Sequence, residues 1–251
     1  MKNLLAIDIG NTNITAGLFI GEKLAVKDKT PAHASYLYGR FVNRLLRSAG
    51  IKPDGLEGIV ISSVVPLALS RLVMELSKMF SCKIVIIGRD LKVPIRNMYK
   101  NKSEVGQDRL VNAFAVRSLY GAPAVIIDFG TAITFDLISR KGDYLGGLIL
   151  PGIEMSLSSL YRKTALLPRV ELKAAPSIIG RDTVNSMRGG ILFGFGAMCD
   201  GLVRQYSNIL GKDIKVVATG GNSKLIKKYA RSIQAADEDL TLKGLMLMTR
   251  P

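Results

Sequence analysis

Residues 4–13, Leu-Leu-Ala-Ile-Asp-Ile-Gly-Asn-Thr-Asn, constrain this chain more than any other stretch. The apolar run Leu4 to Ile7 reads as a buried strand, and Asp8 marks where that strand surfaces. Gly10 suits a sharp turn of positive φ and a close approach of backbone to a ligand. Asn11, Thr12 and Asn13 supply short polar groups able to hydrogen-bond phosphate oxygens beside turn N–H groups. The pattern recurs at Ala124-Val125-Ile126-Ile127-Asp128-Phe129-Gly130-Thr131, and a second β-like run follows each copy, Ile14–Phe19 and Ile133–Ile138. One such turn is commonly just a hairpin. Two in matched context point to two related domains serving one nucleotide.

A chain of 251 residues, 48% hydrophobic and 22% charged, suits two modest domains with real cores. The net charge of +15 comes from 35 Lys and Arg against 20 Asp and Glu. Of its densest places, Lys27 to Lys29 has no aromatic and Lys224 to Arg231 has only Tyr229, and there is no Trp. This weighs against nucleic acid and favours a solvated surface that steers anionic substrates. Two cysteines, Cys82 and Cys199, lie in apolar surroundings and read as core residues. With His33 the sole histidine, expected in a loop, a Cys/His zinc site is excluded, and any metal chemistry uses oxygen ligands, as Mg²⁺ or a monovalent ion would. Asp8 interrupts the first apolar run too early for a signal peptide, and no apolar run reaches the ~18 residues of a membrane span. The expected location is the cytosol.

Along the chain, residues 1–30 read as a β-meander with turns at Gly10-Asn11 and Gly21-Glu22 and a short third strand over Lys23–Val26. A helix from Ser35 closes at Gly50. A strand over Ile59–Val65 leads to a helix opened by Pro66, and a strand over Lys83–Ile87 ends at Gly88. Residues 93–109 show no period and precede a helix over Leu110–Tyr120; loops of that length are commonly functional. After a boundary at Gly121-Ala122-Pro123, the second half adds a strand over Tyr144–Leu150, a helix after Pro151-Gly152 and irregular chain to residue 182. A long glycine-rich helix over Thr183–Leu210, able to pack closely on another element such as a second subunit, comes next. A strand over Lys215–Thr219, a basic helix and a final helix end the chain. The expected domains are residues 1–121 and 122–251. Strands alternating with helices make the fold α/β, and the β-β-β start of each half suits mixed sheets in the duplicated two-domain fold of actin, sugar kinases and Hsp70, with ATP bound between the halves.

The P-loop and dinucleotide fingerprints are absent. Phosphoryl transfer needs positioning, charge neutralisation and a base for the attacking hydroxyl. Asp8 is placed to hold Mg²⁺, Gly10 to Thr15 to wrap the phosphates, Thr131 to hold their other side, and Asp128 to offer an oxygen to a cation. Asp108, in Gly106-Gln107-Asp108-Arg109, fits the base; it equally fits a helix N-cap. Arg109 is available to an anionic acceptor or to fix that carboxylate.

These motifs, with Ser63-Val64-Val65-Pro66, Tyr99, Gly146 to Gly152, Thr164 to Pro168, Gly180 to Thr183 with Ser186-Met187, Thr219-Gly220-Gly221 and Leu240 to Leu245, resemble in order the type III pantothenate kinase family. The resemblance implies ATP-dependent phosphorylation of pantothenate, the first step of coenzyme A synthesis, in a homodimer that needs a divalent cation and K⁺ or NH₄⁺. It places ATP on Asp8, Ile9, Gly10, Asn11, Thr12, Asn13, Ile14, Thr15 and Thr131. Pantothenate falls to Tyr99, Gly106, Gln107, Asp108, Arg109 and Thr183, the last from a partner subunit. Asp108 becomes the base and Asp128 the ligand of the monovalent cation. Lys102, where the family commonly has Pro, and Gln107, where it has a small residue, depart from the pattern and bear on the acceptor pocket. Rival readings are a kinase for another small hydroxy acid or sugar, and a relative that lost catalysis and became a transcriptional regulator.

Overall fold

A computed structural model describes residues 3–250 of the chain. The first unit comprises residues 1–95, 100–115 and 240–251. Its sheet is built from β1 (Asn3–Ile9), β2 (Asn13–Ile20), β3 (Lys23–Pro31), β4 (Gly58–Ser63) and β5 (Lys83–Ile86), in the order β3-β2-β1-β4-β5. β1 runs antiparallel to β2 and parallel to β4, so the meander and the helix–strand units share one mixed sheet.

Each face of this sheet is covered. Leu5, Ile7 and Ile9 of β1 join Ile59 and Ile61 of β4 under α1 (Tyr38–Ser48) and α2 (Pro66–Met79). Tyr38, Phe41, Val42, Leu45 and Leu46 form the buried stripe of α1, with Arg40, Arg44 and Arg47 outside, as the helical spacing predicts. Gly50, at φ 69°, ends it. On the opposite face Ala6, Phe19 and Val60 pack with Val111 of α3 (Gln107–Leu119) and with Leu242 and Leu245 of α7 (Leu240–Met248).

The second unit comprises residues 96–99 and 116–239. Its strands are β6 (Ala124–Phe129), β7 (Ala132–Ile138), β8 (Tyr144–Pro151), β9 (Lys215–Thr219) and β10 (Ala235–Ala236), in the order β8-β7-β6-β9-β10. Position by position this repeats the first sheet: β6 is antiparallel to β7 and parallel to β9, as β1 is to β2 and β4. Val125, Ile127, Phe129, Ile133 and Phe135 bury under α4 (Ile153–Lys163) and α5 (Thr183–Leu210). The duplication expected from the two aspartate turns is therefore present in strand order and direction.

Several expectations are corrected. Gly10 and Gly130 are absent from the glycines with positive φ. What the first turn uses is a tight hairpin, Gly10 N–H donating to the Asn13 carbonyl at 3.0 Å, and a Cβ on Gly10 would press that oxygen at 3.3 Å. β3 extends to Pro31, well past Val26, because β2 pairs with it along its full length. β4 stops at Ser63, where Val65 N–H turns to the Ser63 hydroxyl at 3.0 Å. The expected basic helix after β9 is a single turn, α6 (Ser223–Ile226), and β10 was not foreseen. The units do not divide at residue 121. The chain changes unit within α3, and the final helix returns to the first unit, because Gly244 lets α7 approach Val111 and Ala115 of α3 closely. Among the described residues no helix is long and apolar enough to cross a membrane.

Leu245 is fully buried between α7 and the sheet. Leu245→Ala is expected to cost about 3 kcal/mol, read as a lower urea midpoint for unfolding of the first unit, far more than the same change at exposed Leu67.

Candidate active site

In an α/β sheet, ligands gather at the carboxyl ends of parallel strands. In the first unit those are the ends of β1, β4 and β5. Val64 N–H donates to the Ile9 carbonyl at 3.1 Å and Ile87 N–H to Ile61 at 2.8 Å, so the three ends are laced together beyond the ladder. The start of α3 is held against them. A Cβ on Gly106 would stand 3.4 Å from Val64 Cγ1, and one on Gly88 would meet Gln107 Cδ at 2.8 Å. Asp8, the hairpin Gly10 to Asn13, Thr15 and the segment Gly106 to Arg109 all belong to this unit, the carboxylate and hairpin at the strand ends and Gly106 beside Val64. Ile9 and Ile14 are core residues there; Asn11 and Thr12 are exposed, and the Thr12 carbonyl accepts from Ala32 N–H at 2.9 Å.

Asp108 is not the N-cap. α3 begins at Gln107, three residues before the expected start, and Leu110 N–H reaches the Gly106 carbonyl at 3.4 Å, so Gly106 takes the cap position. Asp108 stands in the first turn, half-buried, accepting from Arg109 N–H at 2.8 Å, where the helix dipole favours an acidic side chain. Its carboxylate packs so close to Gly106 that a Cβ there would collide with Asp108 Oδ1. The following Arg109 is buried. The departure at Gln107 has a local explanation: its side chain fills the space beside Gly88, which is at φ 87°. Lys102 is exposed, in a single 3₁₀ turn.

In the second unit Asp128, one residue before the end of β6, lies between Thr134 of β7 and Thr219 of β9. Two glycines press on the turn that follows. A Cβ on Gly220 would meet Asp128 Oδ1 and the Phe129 carbonyl oxygen at 2.6 Å, and one on Gly152 would collide with the Thr131 carbonyl. Gly130 and Thr131 are themselves exposed. The Tyr99 ring lies against Gly146. Thr183 opens α5, exposed, behind an Asp182 cap that accepts from Asn185 N–H at 2.8 Å. The expected acceptor residues are thus distributed over both units: Gly106 to Arg109 in the first, Tyr99 and Thr183 in the second.

Sequence reasoning passed over the hydroxyls flanking each aspartate, Ser62 and Thr219, and gave no role to Asp136. The Asp136 carboxylate is 1% exposed and accepts from the Tyr144 hydroxyl at 2.7 Å and from Thr134 Oγ1 at 3.0 Å. Alternation along β7 was the available signal for Asp136, since Thr134 and Asp136 share a face with Asp128.

Among the described residues no group of three or more His, Cys, Asp or Glu side chains stands ready to hold a metal ion. Lone carboxylates flanked by hydroxyls fit Mg²⁺, which is commonly bound by one or two carboxylates plus substrate phosphates, and do not suit a zinc site.

A family model described as type III pantothenate kinase matches residues 4–205. A type III pantothenate kinase of Myxococcus xanthus (strain DK1622) is 41% identical over 248 residues, 98% of this chain and 97% of the relative. The chain belongs to the type III pantothenate kinase family. Solved structures give the fold of this type III pantothenate kinase family member at greater distance. An inorganic polyphosphate/ATP-glucomannokinase from Arthrobacter sp. strain KM aligns at TM-score 0.51 and 14% identity over 98% of each chain. A Campylobacter jejuni protein described as a Baf family transcriptional activator aligns at 0.58 and 21%, over 97% of this chain and 96% of its own. The architecture is the duplicated α/β fold of sugar kinases and actin-like ATPases.

Neither cysteine of this type III pantothenate kinase family member has the lowered pKa of a reactive thiol. Burial, helped by the charge of Asp200, pushes the Cys199 thiol up to about 12, and burial raises Cys82 as well. Thiolate is the reactive form, so at pH 8 Cys199 is expected to resist a thiol reagent in the native protein and to react within minutes in guanidinium. Native-state labelling of Cys199 at a free-thiol rate would contradict this burial.

Proposed function

We infer that the protein transfers the γ-phosphoryl group of ATP to the primary alcohol of pantothenate, giving 4′-phosphopantothenate and ADP in the first step of coenzyme A synthesis. The observation that carries this reading is family membership along nearly the whole chain, with Asp8, Asp108, Asp128 and Thr131 all present. Backbone N–H groups and hydroxyls from Gly10 to Thr15, and the Thr131 hydroxyl, hold the phosphates, and Asp8 would hold the divalent ion that accompanies them. Held there, a divalent ion would supply neutralisation of the charge that develops on the phosphoryl oxygens. Asp108 accepts the proton of the pantothenate alcohol as that oxygen bonds to the γ-phosphorus and the bond to the β,γ-bridging oxygen breaks. Its place in the first turn of α3 supports this role, since the helix holds the carboxylate without burying it.

Tyr99, Gly106, Gln107, Arg109 and Thr183 bind pantothenate in this scheme, Arg109 pairing with the substrate carboxylate. Asp128 binds K⁺ or NH₄⁺. The two units are the duplicated actin-like domains, with the crossing in α3 and the return of α7 replacing a single boundary at residue 121. Thr183 acts across a homodimer. Support for a dimer comes from the open face of α5, where a Cβ on Gly190, Gly194 or Gly201 would meet nothing within 4 Å, and from exposed Ile149, Met155 and Tyr161. The enzyme works in the cytosol. A regulatory reading gains nothing from the Campylobacter jejuni protein, which at 21% identity shares the fold alone.

A coupled ATP assay with pantothenate tests the assignment. Turnover is expected with K⁺ and to fall sharply when Na⁺ replaces it. Asp108→Asn should lower kcat by 10²- to 10⁴-fold while leaving the melting temperature within a few degrees of wild type. Wild-type turnover in that variant would remove Asp108 as the base, and no turnover of pantothenate in the wild type would remove the function.

A further inference from the structure

Ser62 stands beside Asp8 in the β1–β4 ladder and is fully buried. Two residues earlier the same ladder pairs Ala6 with Val60, and both pack with Val111, Leu242 and Leu245. Side chains of a strand alternate, so Asp8 and Ser62 occupy that same face at its carboxyl end. Ser63 faces the other way and spends its hydroxyl on the turn into α2, accepting from Val65 N–H at 3.0 Å. Ser62 Oγ has no hydrogen-bond partner among the described residues.

A buried hydroxyl without a partner costs stability, and alanine would fill nearly the same space without that cost. The second unit nevertheless repeats the arrangement. Asp128 sits between Thr134 and Thr219 as Asp8 sits between Thr15 and Ser62, and Thr219 is also buried. Two sheets of one chain thus keep a hydroxyl at the one register position where it adjoins the functional carboxylate from the parallel side.

We propose that Ser62 is a positioning residue for Asp8: its hydroxyl donates to one Asp8 carboxylate oxygen in the nucleotide-bound protein and so aims the other at the phosphates and their cation. The proposal rests on the assignment of Asp8 to nucleotide binding. Ser62 touches no reacting atom. It acts by reducing the orientations open to Asp8, and the hydroxyl, which has no partner among the described residues, gains one on binding. Nucleotide affinity therefore gains what the free protein forgoes in stability.

Calorimetric titration of the full chain with Mg²⁺ and a non-hydrolysable ATP analogue, beside melting curves without nucleotide, tests this in Ser62→Ala, Ser62→Thr and Asp8→Asn. Ser62→Ala should melt at or above the wild-type temperature yet bind the nucleotide about tenfold more weakly. It should also need more Mg²⁺ for half-saturation, and Ser62→Thr should recover most of the affinity. Wild-type affinity in Ser62→Ala would overturn the proposal. So would a Ser62→Ala protein that melts several degrees lower or does not fold, because the hydroxyl would then be structural. Failure of Ser62→Thr to recover affinity in a protein that melts as wild type would count against it too. Asp8→Asn separates the two levels: if it binds as wild type, the assignment of Asp8 itself is wrong, whereas weak binding there with normal binding in Ser62→Ala removes Ser62 alone.

Discussion

The structure depends on a central strand that must satisfy two different neighbours at once. β1 gives one edge of hydrogen bonds to an antiparallel partner seven residues deep and the other to a parallel partner. Both faces of such a strand are covered, so its residues must be apolar until the chain leaves the sheet. Leu5, Ala6 and Ile7 obey this with no exposure at all. Asp8 is tolerated because it sits one residue before the end of β1, between Thr15 of β2 and Ser62 of β4. β6 meets the same requirement with Val125 to Ile127 and Asp128. The site is therefore a consequence of where a doubly covered strand can end.

That dependence explains which parts were legible in the sequence. Unbroken apolar runs ending in Asp-x-Gly identified both central strands and both candidate carboxylates, because burial on two faces erases alternation and leaves only composition to read. The start and end of α5 at Thr183 and Leu210 were also legible, since Asp182 caps the one and Gly211, at φ 104°, ends the other. Gly50 and Gly88 marked ends for the same reason. The extent of β3 was not legible: exposed Lys27 and Lys29 alternate with half-buried neighbours on an edge strand, and only pairing with β2 decides that the strand continues.

Other misses have a tertiary origin. A two-residue strand such as β10 has no periodicity to detect; it exists because Asp237 N–H and Gln234 N–H find carbonyls on β9. The early start of α3 turns on Gly106 serving as the cap, and a sequence reader prefers the aspartate two residues on. The return of α7 to the first unit cannot be seen locally. Its apolar residues announce a buried helix, but which core it joins is settled by Gly244, whose missing side chain admits Val111 and Ala115. Gly10 is the reverse case, a correct turn with the wrong reason attached: crowding by the Asn13 carbonyl, not a left-handed φ, is what disfavours a side chain there.

Duplication carries the remaining weight. If Asp8 and Asp128 were only strand-end residues, the two sheets would be free to differ around them, and elsewhere they do: Gly17 follows Thr15 by two places where the buried Asp136 follows Thr134. Around the aspartates they agree, with a hydroxyl on the antiparallel side and a hydroxyl on the parallel side in each. Packing alone does not call for this, because Val or Ala would bury at Ser62 and Thr219 with less loss of hydration. Oxygen-rich rows at the ends of these strands are what the proposed site for phosphates and hard cations calls for, and the two units place such rows at matching register positions with different side chains. The divergence at Gly17 and Asp136 falls one step deeper in the sheet, away from the strand ends.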